Sequence, residues 1–93
     1  MVIGICEMEL RIGYVDSLKG KRSVLKSLIG RVQTKFNISI AEVGLNDQHK
    51  QAKIGMAYVS NDSAQAHRVL ENVVSFIENN FDIELIDYQI EMF

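Results

Sequence analysis

Apolar and polar residues alternate over the first part of the chain. Between Val2 and Ile12 most even-numbered positions are apolar, whereas Glu7 and Glu9 stand between them. A period of two predicts a β-strand with one face in the protein core. After Ser17 the spacing changes to three, four and seven residues, which is typical of one side of a helix. The residues with this spacing are Leu18, Leu25, Leu28, Ile29, Val32 and Phe36.

Four further elements are predicted downstream of this helix. In chain order they are a strand over 38–43, a strand over 52–59, a helix that begins at Asp62 with Gln65 as its capping partner and ends at Asn79 and Asn80, and a strand over 83–92. Right-handed crossovers in this βαββαβ order put both helices on one face of a four-stranded antiparallel sheet, the α+β, ferredoxin-like arrangement. On the last strand one side is expected to carry Ile86, Tyr88, Ile90 and Met92.

Length and composition predict one domain over residues 1–93. Hydrophobic residues make up 47% of the chain, enough for one core, and no apolar run reaches the roughly 18 residues of a membrane span. The N-terminus lacks the basic region of a signal peptide, and Cys6 has no second cysteine with which to pair. We therefore expect a cytoplasmic protein with no structural metal and no cofactor.

The helix predicted after Ser17 is basic, although the whole chain has a formal net charge of −2. The segment 17–35 contains six basic residues and no acidic one, and the basic residues are Lys19, Lys21, Arg22, Lys26, Arg31 and Lys35. A basic helix on an acidic chain gives a polyanion a single place to bind. We interpret these six residues as a nucleic-acid-binding site, with structured RNA, read through its backbone and shape, as the expected partner.

On a helical wheel, the face opposite the apolar stripe is small and smooth. Its residues are Ser23, Ser27 and Gly30, bordered by Lys19, Arg22 and Lys26 on one side and by Arg31 and Lys35 on the other. A phosphate backbone could approach the helix closely between these two basic rows. The alternative interpretation is that the Lys and Arg side chains only keep an exposed helix face soluble.

The sequence shows no arrangement typical of catalysis. No nucleophile has a base beside it, the loop 13–16 has no glycine-rich phosphate cradle, and we assign Cys6 and Met8 to the core. RNA recognition by a sheet uses stacked aromatic residues on its central strands. Here Tyr58 is the sole aromatic residue of the predicted first and third strands. We therefore expect no enzymatic activity and no RNA recognition by the sheet.

A second class of function stays open, because the uncovered face of the sheet carries apolar residues. Ile3 and Ile5 lie on the alternate face of the first strand, and Ile83 and Leu85 would extend this patch if they point to the same side. An exposed apolar patch usually binds a partner. The chain could therefore be a homodimeric or protein-interaction module, unless its own residues 91–93 cover Ile3 and Ile5.

Several short motifs are spread over nearly the whole chain. They are Ser17-Leu18-Lys19-x-Lys21-Arg22, the stretch 31–36 running into Asn37-x-Ser39-x-Ala41-Glu42-Val43, then Asp47, Ala52, Gly55, Asp62 and Phe76-Ile77-Glu78. In these residues the chain resembles the YlxP-like family of small uncharacterised bacterial proteins. The resemblance implies a ferredoxin-like fold. The usual position of the family's genes, between those of a translation initiation factor and a ribosome-binding factor, implies a link to translation or ribosome maturation. The resemblance thus makes ribosomal RNA, or a ribosomal particle, the expected partner of the basic helix.

Two positions depart from the pattern of that family. Gly20 stands where an acidic residue is common, which removes a side-chain capping partner of Ser17 and makes the local field more positive. The loop 47–51 lacks the tryptophan expected near His49. His49 could stack on a base or pair with phosphate in its place, or it could simply be exposed.

Overall fold

Six elements follow one another in the order that the sequence predicts. The computed structural model describes residues 1–93. Its elements are β1 (Val2–Arg11), α1 (Leu18–Lys35), β2 (Ser39–Gly44), β3 (Gln51–Ser60), α2 (Ser63–Asn80) and β4 (Glu84–Met92). The strands form one antiparallel sheet in the order β2-β3-β1-β4. The predicted α+β, ferredoxin-like fold is confirmed.

Both helices begin at a side-chain cap. The Ser17 hydroxyl accepts a hydrogen bond from the amide three residues later, and the Asp62 carboxylate accepts one from the amide two residues later, each at 3.0 Å. These bonds satisfy amides that have no partner within the first helical turn. Gln65 does not complete the expected capping pair, because its side-chain oxygen accepts from the Ser60 hydroxyl at 2.7 Å.

The core lies between the sheet and the two helices. Cys6, Met8, Leu10 and Ile12 are each at most 1% exposed, so the predicted inward face of β1 is confirmed. The buried apolar residues of the helices are Leu25, Leu28 and Val32 in α1 and Ala66, Leu70, Val73, Val74 and Ile77 in α2. No helix in the structure has the length and apolar character that crossing a membrane requires.

A bulge in β4 changes which of its side chains face the core. Glu9 of β1 pairs with Asp87, but the next residue, Leu10, pairs with Leu85, so Ile86 is the extra residue. Leu85 therefore lies on the core side of the sheet with Leu10. Ile86 is 43% exposed.

One expectation for the last strand is wrong because of this bulge, and the condition set for Ile83 and Leu85 is not met. Ile86 does not share the inward side with Tyr88 and the residues after it. Ile83 and Leu85 pack against the core and do not extend an apolar patch on the open face of the sheet. An unbroken alternation places side chains on the correct face only as far as the first bulge.

The phenol of Tyr88 in β4 lies against a carboxylate of α2. Its hydroxyl donates a hydrogen bond to Glu71 Oε2 at 2.9 Å. This bond, together with the negative charge of Glu71, raises the pKa of Tyr88 above its ordinary value of 10.0. The neutral phenol is the form that can donate to the carboxylate. The stabilising contribution is therefore present below pH 10.0 and is lost as the pH rises through the raised pKa.

Ultraviolet absorbance titration should show that the pKa of Tyr88 lies above 10.0. Glu71→Gln removes the charge that opposes ionisation, so it should lower the pKa of Tyr88 towards the ordinary value. Glu84→Gln, at an exposed position of β4, is the control and should leave the titration unchanged. Superimposable curves for Glu71→Gln and the wild type would show that the bond is absent in solution.

Candidate nucleic-acid interface

The outer face of α1 carries exposed basic side chains without acidic partners. They are Lys19, Arg22, Lys26, Arg31 and Lys35. The ion pairs of the structure are made by other basic residues, so none of these five is neutralised by a carboxylate. The first turn of α1 also contains no acidic residue. A face of this kind keeps its positive potential available to a polyanion in solution.

Between the two basic rows, the helix carries only small side chains, which project little from its surface. Ser23, Ser27 and Gly30 are exposed, and a Cβ added at Gly30 would meet no atom within 4 Å. At about 1.5 Å per residue, Lys19 and Lys26 are about 10 Å apart along the axis of the helix. A phosphate backbone therefore has room to approach α1 between the rows.

Aromatic rings contact the basic row formed by Arg31 and Lys35. Arg31 Cζ lies 4.6 Å from the ring centroid of Phe81 and 5.7 Å from that of Phe76. Lys35 Nζ lies 5.3 Å from the Phe76 centroid, and Phe36 contacts Phe76 edge to face. Cation–π contacts orient both side chains and leave their charge intact. This support was not evident from the sequence, because the three rings come from the ends of both helices.

Lys21 does not belong to this face, and its assignment to nucleic-acid binding is wrong. Its side chain is 0% exposed, and Nζ lies 2.9 Å from Glu42 Oε2. The carbonyl oxygens that accept hydrogen bonds from Nζ are those of Leu45 at 2.9 Å, Asn46 at 3.3 Å and Gln51 at 3.1 Å. An ammonium enclosed by four oxygens cannot contact a phosphate. Lys21 instead joins α1 to the hairpin of β2 and β3.

Lys50 connects the same hairpin to the loop before α1. Its Nζ donates to the carbonyl oxygens of Gly13 at 2.8 Å and Val15 at 3.0 Å. Its own carbonyl accepts a hydrogen bond from the Ile12 amide at 2.7 Å. Two lysines thus bind the loop 45–50 to the neighbouring loop and to α1. His49 is exposed in this loop, and its contact with a base or a phosphate stays a prediction.

The thiol of Cys6 and the ring of Tyr58, the other side chains with a potential chemical role, both pack in or against the core. Burial of the Cys6 thiol, with smaller contributions from the carboxylates of Glu71 and Glu7, raises its pKa to about 12. A thiol with that pKa is protonated at neutral pH and is a poor nucleophile. Tyr58 is half-buried and packs against the core. No group of three or more His, Cys, Asp or Glu side chains is placed to hold a metal ion.

Comparison with known proteins identifies the family of the chain. Residues 3–90 match the family described as "Protein of unknown function (DUF503)". The chain belongs to this family. Among its relatives, the "Uncharacterized protein YlxP" of Bacillus subtilis (strain 168) is 42% identical over 83 residues, which cover 89% of this chain and 90% of the relative. The predicted YlxP-like resemblance is therefore confirmed.

A designed protein of known structure has a similar fold to this DUF503 chain. The "De novo designed protein Foldit4" superimposes with a TM-score of 0.54 and 12% sequence identity, covering 98% of this chain and 96% of the designed one. At such low identity, the likeness concerns the fold alone.

Proposed function

We propose that the protein binds structured ribosomal RNA through the outer face of α1. The observation that carries the proposal is the group of exposed basic residues without an ion-pair partner, Lys19, Arg22, Lys26, Arg31 and Lys35. They are half of the ten Lys and Arg residues of a chain in which acidic residues are more numerous. A face that serves solubility alone normally mixes both signs of charge, so this segregation favours a polyanionic ligand.

The ligand would be contacted mainly at its phosphates. The basic side chains surround the small residues Ser23, Ser27 and Gly30, which present no ring on which a base could stack. The expected readout is the position of the backbone and the shape of the RNA, with little dependence on base sequence. On this proposal the protein acts by binding and not by catalysis. The implied link of YlxP-like proteins to translation makes ribosomal RNA the first ligand to test.

The rest of the chain would orient the RNA. Residues 60–93 contain seven acidic residues and one Lys or Arg, Arg68. This negative part, which includes α2 and β4, repels a polyanion and leaves the α1 face as the favourable side of approach. Binding made of phosphate contacts weakens steeply as the salt concentration rises.

Sedimentation with ribosomal particles tests the proposal. Purified protein and purified ribosomal subunits are mixed and run on sucrose gradients at low and at high salt. We expect the protein in the subunit fractions at low salt and at the top of the gradient at high salt, because salt competes with phosphate contacts. A protein that stays at the top in both gradients contradicts ribosomal binding. Sedimentation that salt does not change contradicts the α1 face and indicates an apolar contact with a ribosomal protein.

A further inference from the structure

The sheet face that the helices leave uncovered carries a continuous apolar area. Ile5, Val43 and Val59 are 38%, 55% and 61% exposed. Ile3 pairs with Val59 on one side and exchanges two hydrogen bonds of 2.9 Å with Phe93 on the other. The C-terminal residues therefore lie beside Ile3 in the plane of the sheet. The exposed fractions of Ile5 and Val59 show that the C-terminal residues do not cover these two side chains.

Small residues form a shallow groove beside these larger side chains. Ala41, Gly55 and Ala57 line it together with Ile5 and Val43, and the polar residues Glu7 and Ser39 also belong to its wall. A Cβ added at Gly55 would come within 2.9 Å of Val43 Cγ1, so the glycine is what allows Val43 to lie over β3. The open face thus has projecting apolar side chains next to a groove that is lined mainly by apolar residues.

Charged residues occupy much of the remaining open face, and one of its two edges is acidic whereas the other is uncharged. Glu9 of β1 pairs with Lys53 of β3, and Lys53 Nζ lies 3.3 Å from Glu7 Oε1. At one edge of the sheet, β4 carries Asp87 beside Glu9 and Glu91 beside Ile5. At the other edge, the exposed residues of β2 are uncharged: Ser39, Ala41 and Val43.

We propose that this face is the interface of a symmetric dimer of the chain. A two-fold axis parallel to the strands, between β1 and β3, places β1 of each copy over β3 of the other and β4 over β2. Such an axis keeps the direction of the strands and the position of each residue along them. A residue of β1 therefore faces, in the other copy, the β3 residue with which it pairs inside its own sheet. Sheets packed in this way lie about 10 Å apart.

Charge complementarity favours a second copy as the occupant of this face. Glu9 of each copy faces the partner's Lys53, which gives two symmetric ion pairs. The acidic edge with Asp87 and Glu91 lies over the uncharged β2 of the other copy. If the axis ran along β1 instead, Glu7 and Glu9 of one copy would face Glu7 and Glu9 of the other. The axis between β1 and β3 is therefore the one that avoids repulsion.

Side-chain sizes are complementary in the same arrangement. Ile5 faces the partner's Ala57, and Ile3 faces the partner's Val59, because Ile5 pairs with Ala57 and Ile3 with Val59 between β1 and β3 of one sheet. Four strands are about 19 Å wide, and the longest two, at ten residues, are about 33 Å long, so one face covers at most roughly 600 Å². A total of roughly 1,200 Å² is at the lower limit for specific interfaces. We therefore expect a reversible dimer with a dissociation constant in the micromolar range.

Sedimentation equilibrium of charge-reversal variants tests the interface. Wild-type protein should change from monomer to dimer as its concentration rises through the micromolar range. Glu9→Lys and Lys53→Glu should each weaken self-association by about tenfold or more, since like charges then face each other across the axis. A mixture of the two variants should dimerise again, because the lysine introduced at position 9 faces the glutamate introduced at position 53.

The mixing step separates this interface from effects within one copy. Position 9 also neighbours position 53 inside each sheet, but only contact between copies makes the mixture heavier than the separate variants. Lys26→Glu, the same charge reversal on the exposed side of α1, is the control and should dimerise like the wild type. Circular dichroism confirms that each variant is folded. A wild type that stays monomeric, or a mixture no heavier than its components, overturns the proposal.

Discussion

Replacing Lys21 by Met is expected to lower the free energy of unfolding by about 3–5 kcal/mol, although methionine preserves most of the apolar stem. Lys21 is fully buried, and its ammonium is the ion-pair partner of Glu42, whose side chain is 17% exposed. The substitution leaves that carboxylate largely enclosed and unpaired. It also removes the donor of three backbone carbonyl groups.

Strain in the loop adds to the effect of this substitution. Leu45 has a φ of 58°, which places it in the left-handed region that bulky residues rarely adopt. Its carbonyl accepts the shortest of the three hydrogen bonds from Lys21, at 2.9 Å. The ammonium therefore helps to hold a conformation that the loop would not keep alone. Faster amide exchange across residues 45–50 should accompany the loss of stability.

Urea denaturation followed by circular dichroism measures the change. Lys26→Met is the matched control, because Lys26 is exposed on the same helix, and its effect should stay within about 0.5 kcal/mol. Adding Glu42→Leu to Lys21→Met should recover part of the loss, since it removes the unpaired carboxylate. A decrease below about 1 kcal/mol for Lys21→Met would mean that the buried pair does not support the fold.

Replacing Lys19, Arg22 and Lys26 together by Ala should weaken binding to purified ribosomal RNA on the order of 100-fold at about 0.1 M salt. Each phosphate contact contributes about 0.7–0.9 to the slope of log affinity against log salt concentration. Losing three contacts should therefore flatten that slope by about 2–3 units. Filter binding at a series of salt concentrations gives both the affinity and the slope.

A charge-matched variant distinguishes a local site from a general effect of net charge. Arg11→Ala, Arg68→Ala and Asn72→Asp together lower the formal charge by the same amount at exposed positions away from α1. This variant should keep nearly the wild-type slope, because the phosphate contacts are intact. Equal losses in both variants would contradict the α1 face as the binding site.

The order of elements could be predicted because each has a strong local signal. The period of two in β1 and the helical stripe around Leu25 and Leu28 depend only on near neighbours in the chain. The caps at Ser17 and Asp62 likewise act over two or three residues. The bulge at Ile86 depends on pairing with a strand far away in sequence. No local pattern indicates the bulge, and the side of Ile86 was therefore predicted wrongly.

Lys21 was assigned to the wrong side of α1 although the sequence contains the signal of its burial. It precedes Leu25 by four residues and Leu28 by seven, so it lies on the apolar stripe. Glu42 follows the inward-facing Ile40 by two residues and shares its side of β2. Two opposite charges on two inward faces are a reason to expect a buried pair. Their contact depends on how α1 lies over β2, which no local spacing defines.

Burial of one lysine among several free ones has a consequence for covalent labelling. A reagent that acetylates amines reaches Lys19 and Lys26 in the folded protein, whereas the amine of Lys21 is accessible only after the core opens. Acetylation of Lys21 therefore records how often the contact between α1 and the β2–β3 hairpin opens. Acetylation of Lys19 and Lys26 records how much of the α1 face is free. Mass spectrometry of one digest can thus measure two rates of acetylation. The rate at Lys19 and Lys26 reports occupancy of the α1 face by a ligand, and the rate at Lys21 reports opening of the structure around its amine.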